Sequence, residues 1–303
     1  MHRRKSIGYL ATLGMSPLMI QPQDLFQLQE TVMKRKIPSS GELLPVVGVG
    51  TWQTFDVGSG TTEREPLKEV LKILLGKGGT VVDSSPMYGR SEGVVGDLST
   101  ELEVNDQLFM ATKVWTSGEA AGISQMNRSF ALMKRKTIDL MQIHNLIDWQ
   151  THLNTLRSWK EDGKIRYLGI THYTSYAYDE IESILKSEKL DFLQINYSIV
   201  SRKVEERIIP LAQEKGVAVI INQPYESGSL FRNVKGKELP TYAKEFDCNS
   251  WGHFFLKWIL SNPAVTCVIP GTDNPKHMID NMGAGIGRLP DQELRNRMIK
   301  EIS

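Results

Sequence analysis

TVVDSS, residues 80–85, and LFMATKVW, residues 108–115, are short β-branched runs on either side of a polar segment of helical length. Both runs are almost continuously apolar, the pattern of strands covered on both faces. Between them, Glu92 to about Leu102 reads as a helix. Two doubly buried strands joined through a helix imply a parallel crossover unit.

Outward from this unit the pattern repeats. Strands are predicted at 46–52, 138–145, 165–173, 191–198, 217–224 and 264–271. Helices are predicted at 63–78, up to Lys136, and at 149–164, 178–188, 204–216, 251–262 and 275–285. Eight strand–helix units in about 240 residues predict a closed (β/α)8 TIM barrel rather than an open sheet. Residues 33–46 read as a β-hairpin around Ser40-Gly41 that plugs the barrel bottom. The expected organisation is an N-terminal segment, 1–30, followed by a single barrel domain, 31–303.

The 303 residues carry 36 basic and 35 acidic side chains, a net charge of +1, so the basic footprint of a nucleic-acid binder is missing. No apolar run approaches the roughly 20 residues of a membrane-spanning helix. Cys248 and Cys267 fit no metal-ligand spacing, and no metal site is expected. Arg3, Arg4 and Lys5 precede a mildly apolar stretch from Ile7 to Ile20, which suggests a twin-arginine export signal and a periplasmic address. A basic tail on a cytoplasmic protein is the alternative.

Chemistry in such a barrel sits where the strands run out at their C-terminal mouth. Those positions hold Asp83, Lys113 and His144, with Tyr88 in the loop after the second strand. Singly, each has a plain structural role available: a helix cap, a snorkelling lysine, a core histidine and a packing ring. Together, three consecutive strands deliver an acid, a base and an imidazole to one mouth. Lys113 on an apolar strand needs a partner, and Asp83 is adjacent. A cation beside the phenol is expected to lower the pKa of Tyr88 and make it a proton donor near neutral pH. The set suits protonating a carbonyl oxygen while a hydride adds to its carbon.

The blocks GVGTW (48–52), Asp83-Ser84-Ser85-Pro86-Met87-Tyr88-Gly89, ATKVW (111–115), LMQIH (140–144), LQINYS (193–198) and IPGTDNPKHMIDN (269–281) resemble the aldo-keto reductases, in order and across the whole barrel. That resemblance implies a catalytic tetrad of Asp83, Tyr88, Lys113 and His144, and a cofactor, NADPH or else NADH, extended across the mouth. It implies Gly50, Thr51 and Gln194 near the nicotinamide. Gly271, Thr272, Lys276, His277 and Asn281 fall in the block that holds the phosphate end. The chain departs from the family pattern where Thr171 and His172 replace Ser-Asn at the carboxamide. It departs again where Asn222 replaces a stacking aromatic, and where His277 replaces a phosphate-binding arginine. Trp52 and Trp115 are candidates to wall a pocket for a small-molecule carbonyl substrate. Two other functions fit parts of the pattern: a cofactor-binding redox sensor with weak turnover, and a Schiff-base lyase using Lys113.

Overall fold

The computed structural model describes residues 31–302, so the expected export segment lies outside the described residues. Strands β1 (Lys34–Lys36) and β2 (Leu43–Pro45) form an antiparallel hairpin, with Arg35 opposite Leu44. Eight parallel strands follow: β3 (Val49–Gly50), β4 (Val81–Asp83), β5 (Phe109–Val114), β6 (Ile138–His144), β7 (Ile165–His172), β8 (Phe192–Asn196), β9 (Ala218–Asn222) and β10 (Val265–Val268). Each pairs in parallel with the next in sequence order. Isolated parallel bridges Val47–Val268 and Gly50–Gly271 bring the two ends of the sheet together. The first barrel strand is shorter than its apolar run, because Val46 and Gly48 are spent on single hydrogen bonds to Val268 across this seam.

Gly50 and Gly271 face each other there. A Cβ on Gly50 would lie 2.8 Å from the Ile269 carbonyl oxygen, so the close approach of the strands itself demands glycine.

Side-chain alternation decides what faces the axis. Along β5, Met110 and Val114 point outward into the layer shared with the helices, while Phe109 and Ala111 join an inner cluster. Lys113 therefore inherits the inward parity at the upper end of β5. Val81, Leu140, Tyr167, Phe192 and Ala218 fill the lower barrel, and Ile37 and Leu44 of the hairpin pack with them. The hairpin is the plug that its sequence position suggested. Arg35 fastens it by donating to the carbonyls of Leu260, Asn262 and Val265, at and beyond the end of the helix Trp251–Leu260.

Helices bury one stripe each. In the helix Thr61–Gly76 the stripe is Leu67, Val70, Leu71 and Leu74, the spacing expected of one face at 3.6 residues per turn. The final helix, Gln292–Ile302, was not expected from the sequence. It buries Met298 and ties Arg295 to Glu205, 2.6 Å away, and to the Tyr197 hydroxyl, 2.8 Å away. Among the described residues no helix is long and apolar enough to cross a membrane.

Candidate active site

The inward parity that fills the lower barrel with rings delivers polar groups one or two layers higher. Asp83 ends β4, and its Oδ2 accepts from Lys113 Nζ at 2.7 Å. Its Oδ1 accepts from Gln194 Nε2 at 2.8 Å and Gln142 Nε2 at 3.2 Å. Lys113, fully buried, also donates to the Ser84 carbonyl at 2.6 Å. A buried ammonium is tolerated because each of these partners is fixed by a strand or its end. Burial opposes its charge, but the Asp83 carboxylate and the Tyr88 phenol outweigh burial and hold the Lys113 pKa above that of ordinary lysine.

The loop after β4 carries Tyr88 back over this pair. Its amide donates to the Ser85 carbonyl at 2.9 Å, and Arg90 anchors the far end through Asp56 at 3.0 Å. Gly89 has a positive φ of 61° and lies against the Asp56 carboxylate, a place closed to a side chain. Lys113 Nζ is 4.8 Å from the Tyr88 ring centre, and the His144 ring meets Tyr88 edge-on with centroids 5.8 Å apart. The four expected catalytic residues are thus brought together.

One electrostatic expectation needs correcting. The Tyr88 pKa is raised, not lowered: burial is the larger effect, and Lys113 only partly offsets it. Tyr88 is therefore a phenol at neutral pH. Burial, reinforced by the charge on Lys113, pushes His144 down to about 3, so its imidazole is neutral.

Around the tetrad, Thr171 Oγ1 donates to Gln194 Oε1 at 3.0 Å, which leaves both ends of the Gln194 amide held by protein groups. Thr51 is buried, with its hydroxyl donating to Ser84 Oγ at 2.9 Å. His172 has the opposite parity from Thr171. Its Nδ1 accepts from the Tyr173 and Thr174 amides, and its ring stacks on Tyr173. Asn222 ends β9, donates to the His172 carbonyl at 3.3 Å, and keeps a buried Oδ1 without a partner.

Across the seam, Thr272 Oγ1 accepts from the Asn274 amide at 3.1 Å, and Asn274 caps the helix Pro275–Gly283. Lys276 and His277 are exposed on its first turns, while buried Asn281 accepts from Tyr225 OH at 2.6 Å. Trp115 lies beside His144, ring centroids 6.5 Å apart. Trp52 stands exposed on the loop after β3, and Met87, Trp115 and Tyr176 are also exposed on loops that follow barrel strands.

Sequence reasoning missed Gln142 and Ser85. Gln142 shares the inward parity of His144 two residues on, a signal that was available. Ser85 had none, because its contact, His144 Nδ1 at 2.9 Å, depends on the path of the loop.

This barrel and mouth define a reductase scaffold, and the aldo/keto reductase family model matches residues 46–302. The chain belongs to that family, whose chemistry is carbonyl reduction. It is 26% identical over 217 residues to aldo-keto reductase YhdN of Bacillus subtilis, a match covering 66% of this chain and 63% of that protein. It is 24% identical to methylglyoxal reductase YeaE of Escherichia coli, over 87% of this chain and 93% of that one. An aldo/keto reductase of Klebsiella pneumoniae, solved in complex with NADPH, superposes with a TM-score of 0.74 at 21% identity. That superposition covers 90% of this chain and 95% of the other, and it shows the shared fold.

Proposed function

We propose that this chain reduces aldehydes or ketones with an apolar body, using NADPH in preference to NADH. The observation that carries the proposal is the buried Lys113–Asp83 pair at 2.7 Å beneath the Tyr88 ring, with neutral His144 edge-on to that ring. When bound, the reduced nicotinamide supplies the hydride.

The residues fit such a group. Asn222 Oδ1 is a buried acceptor in want of a donor, which the N–H of a carboxamide provides, and Thr171 neighbours it through Gln194. Lys276 and His277 offer donors to a 2′-phosphate at the first turns of the helix Pro275–Gly283, where the helix dipole favours anions. An imidazole offers a phosphate a single N–H at a time where a guanidinium offers a planar fork of donors, so the preference for NADPH over NADH is expected to be modest.

Tyr88 donates its proton to the substrate oxygen. Its raised pKa keeps that proton on the phenol while the substrate binds. As the proton leaves, negative charge grows on the phenol beside an ammonium that cannot move away, so Lys113 acts on the transition state rather than on the resting acid. Asp83 holds Lys113 charged and in place. His144, uncharged, orients the carbonyl. The apolar rim of Trp52, Met87, Trp115 and Tyr176 suits an aromatic or aliphatic substrate body.

Schiff-base chemistry is disfavoured, because an attacking lysine must be a free amine and Lys113 is held as an ammonium. Purified protein is expected to consume NADPH with an aldehyde such as benzaldehyde. Tyr88→Phe should lower turnover by about 10²-fold or more, with cofactor affinity by fluorescence titration unchanged. Wild-type turnover in the Phe variant would remove Tyr88 from the chemistry.

A further inference from the structure

We propose that Ser85 is a positioning residue that fixes the tautomer of His144, keeping the ring proton on Nε2. The inference rests on the function proposed above and assigns a role to a residue outside the tetrad.

Ser85 is fully buried. Its Oγ lies 2.9 Å from His144 Nδ1 and accepts the Met87 amide at 3.2 Å. Residue 86 is proline and offers no amide hydrogen, so Met87 supplies the first N–H of the turn that can reach back. A serine hydroxyl carries one proton and two lone pairs. One lone pair is taken by Met87. If His144 Nδ1 carried a proton and donated it, the second lone pair would be filled, and the buried Ser85 proton would have no acceptor among the described residues. With the roles reversed, Ser85 donates to Nδ1, and both the hydroxyl and Nδ1 are satisfied.

A neutral imidazole whose Nδ1 accepts must carry its hydrogen on Nε2. Nε2 makes no hydrogen bond among the described residues, so this N–H remains for a ligand. Tyr88 and Trp115 flank the ring, with centroids 5.8 and 6.5 Å away. Burial and the Lys113 charge exclude the imidazolium, leaving the tautomer as the one variable to be set. An N–H donor is what a carbonyl oxygen requires, whereas a lone pair at Nε2 would repel it.

Selective nitrogen-15 labelling of histidine in the full-length protein tests this directly, with the signal assigned by its loss in His144→Gln. Wild type is expected to show a pyrrole-type Nε2 and a pyridine-type Nδ1. The opposite pattern overturns the proposal, with no reference to activity. Ser85→Ala, checked for folding by thermal melt, is expected to show a mixture of tautomers. Its kcat should fall on the order of tenfold, the scale on which outer partners of an imidazole act in metal sites, with NADPH affinity unchanged. Ser85→Thr, which restores the hydroxyl, is expected to return the Nε2–H pattern. Full turnover in Ser85→Ala while Tyr88→Phe is inactive would reject the role of Ser85 and leave the proposed function standing. Activity in both variants would reject the function as well.

Discussion

At the scale of single residues, Lys113 has two separable duties. Its charge balances Asp83 in a dry place, and it lies beneath the ring of the proposed acid. Lys113→Met alone leaves the Asp83 carboxylate buried with only two amide donors, a change that costs about 3–5 kcal/mol. Adding Asp83→Asn removes the stranded charge while keeping an oxygen for Gln142 and Gln194. The double variant is therefore expected to melt well above the single one and close to wild type, and to remain inactive. Thermal melts beside turnover assays separate the two duties. A double variant as unstable as Lys113→Met would mean that the lysine stem, not its charge, supports the mouth.

Among the elements, the β1–β2 hairpin and the loop after β4 do opposite kinds of work at opposite ends of the barrel. Arg35 ties the hairpin to three carbonyls at the end of the helix Trp251–Leu260, where a cation also meets the negative end of the helix dipole. Arg35→Met is expected to lower stability by about 2 kcal/mol, the scale of hydrogen bonds to a charged group, and to leave NADPH affinity untouched. Denaturant melts and fluorescence titration check both halves. Lost cofactor affinity would show that the bottom of the barrel communicates with the mouth.

The elements also show what could be foreseen. Short β-branched runs announced all eight strands, and parity alone carries Asp83, Lys113 and His144 to one mouth. The final helix escaped notice because its buried stripe is sparse, with Met298 and Arg295 as its enclosed members. The direction of the Tyr88 pKa was misjudged because sequence shows which charge is near but not how much water is lost. Ser85 was invisible because a hydrogen bond made by a loop follows no period. The block 269–281, expected from resemblance to hold a phosphate, could not be weighed from sequence, since Asn281 turns out to be engaged by Tyr225 from another loop.

For the whole molecule, burial of imidazoles links stability to acidity. His144 has an ordinary pKa of 6.5 when unfolded and about 3 when folded, and burial lowers His172 and His253 in the same direction. Below pH 6.5 the unfolded chain binds protons that the folded one refuses, so this contribution is lost progressively from about pH 6.5 toward about 3. Buried Glu92, whose pKa burial raises above the ordinary 4.5, works in the opposite sense, since the folded chain takes up its proton before the unfolded one as pH falls toward that value. The melting temperature is expected to fall on acidification through this window, and His144→Gln should flatten the slope. An unchanged slope in that variant would place the acid sensitivity elsewhere.

The glycine seam has a consequence for how the chain is made. Val47 and Val268 meet only after about two hundred intervening residues have been synthesised. Until β10 emerges, β3 and β9 each present an unpaired strand edge, the kind of surface on which chains stick to one another. Closing so long a loop costs entropy before any seam contact repays it, which makes ring closure a late and slow event. A nascent chain stalled before Val265 is therefore an aggregation hazard, whereas in the finished barrel β10 lies between the two edges and covers both.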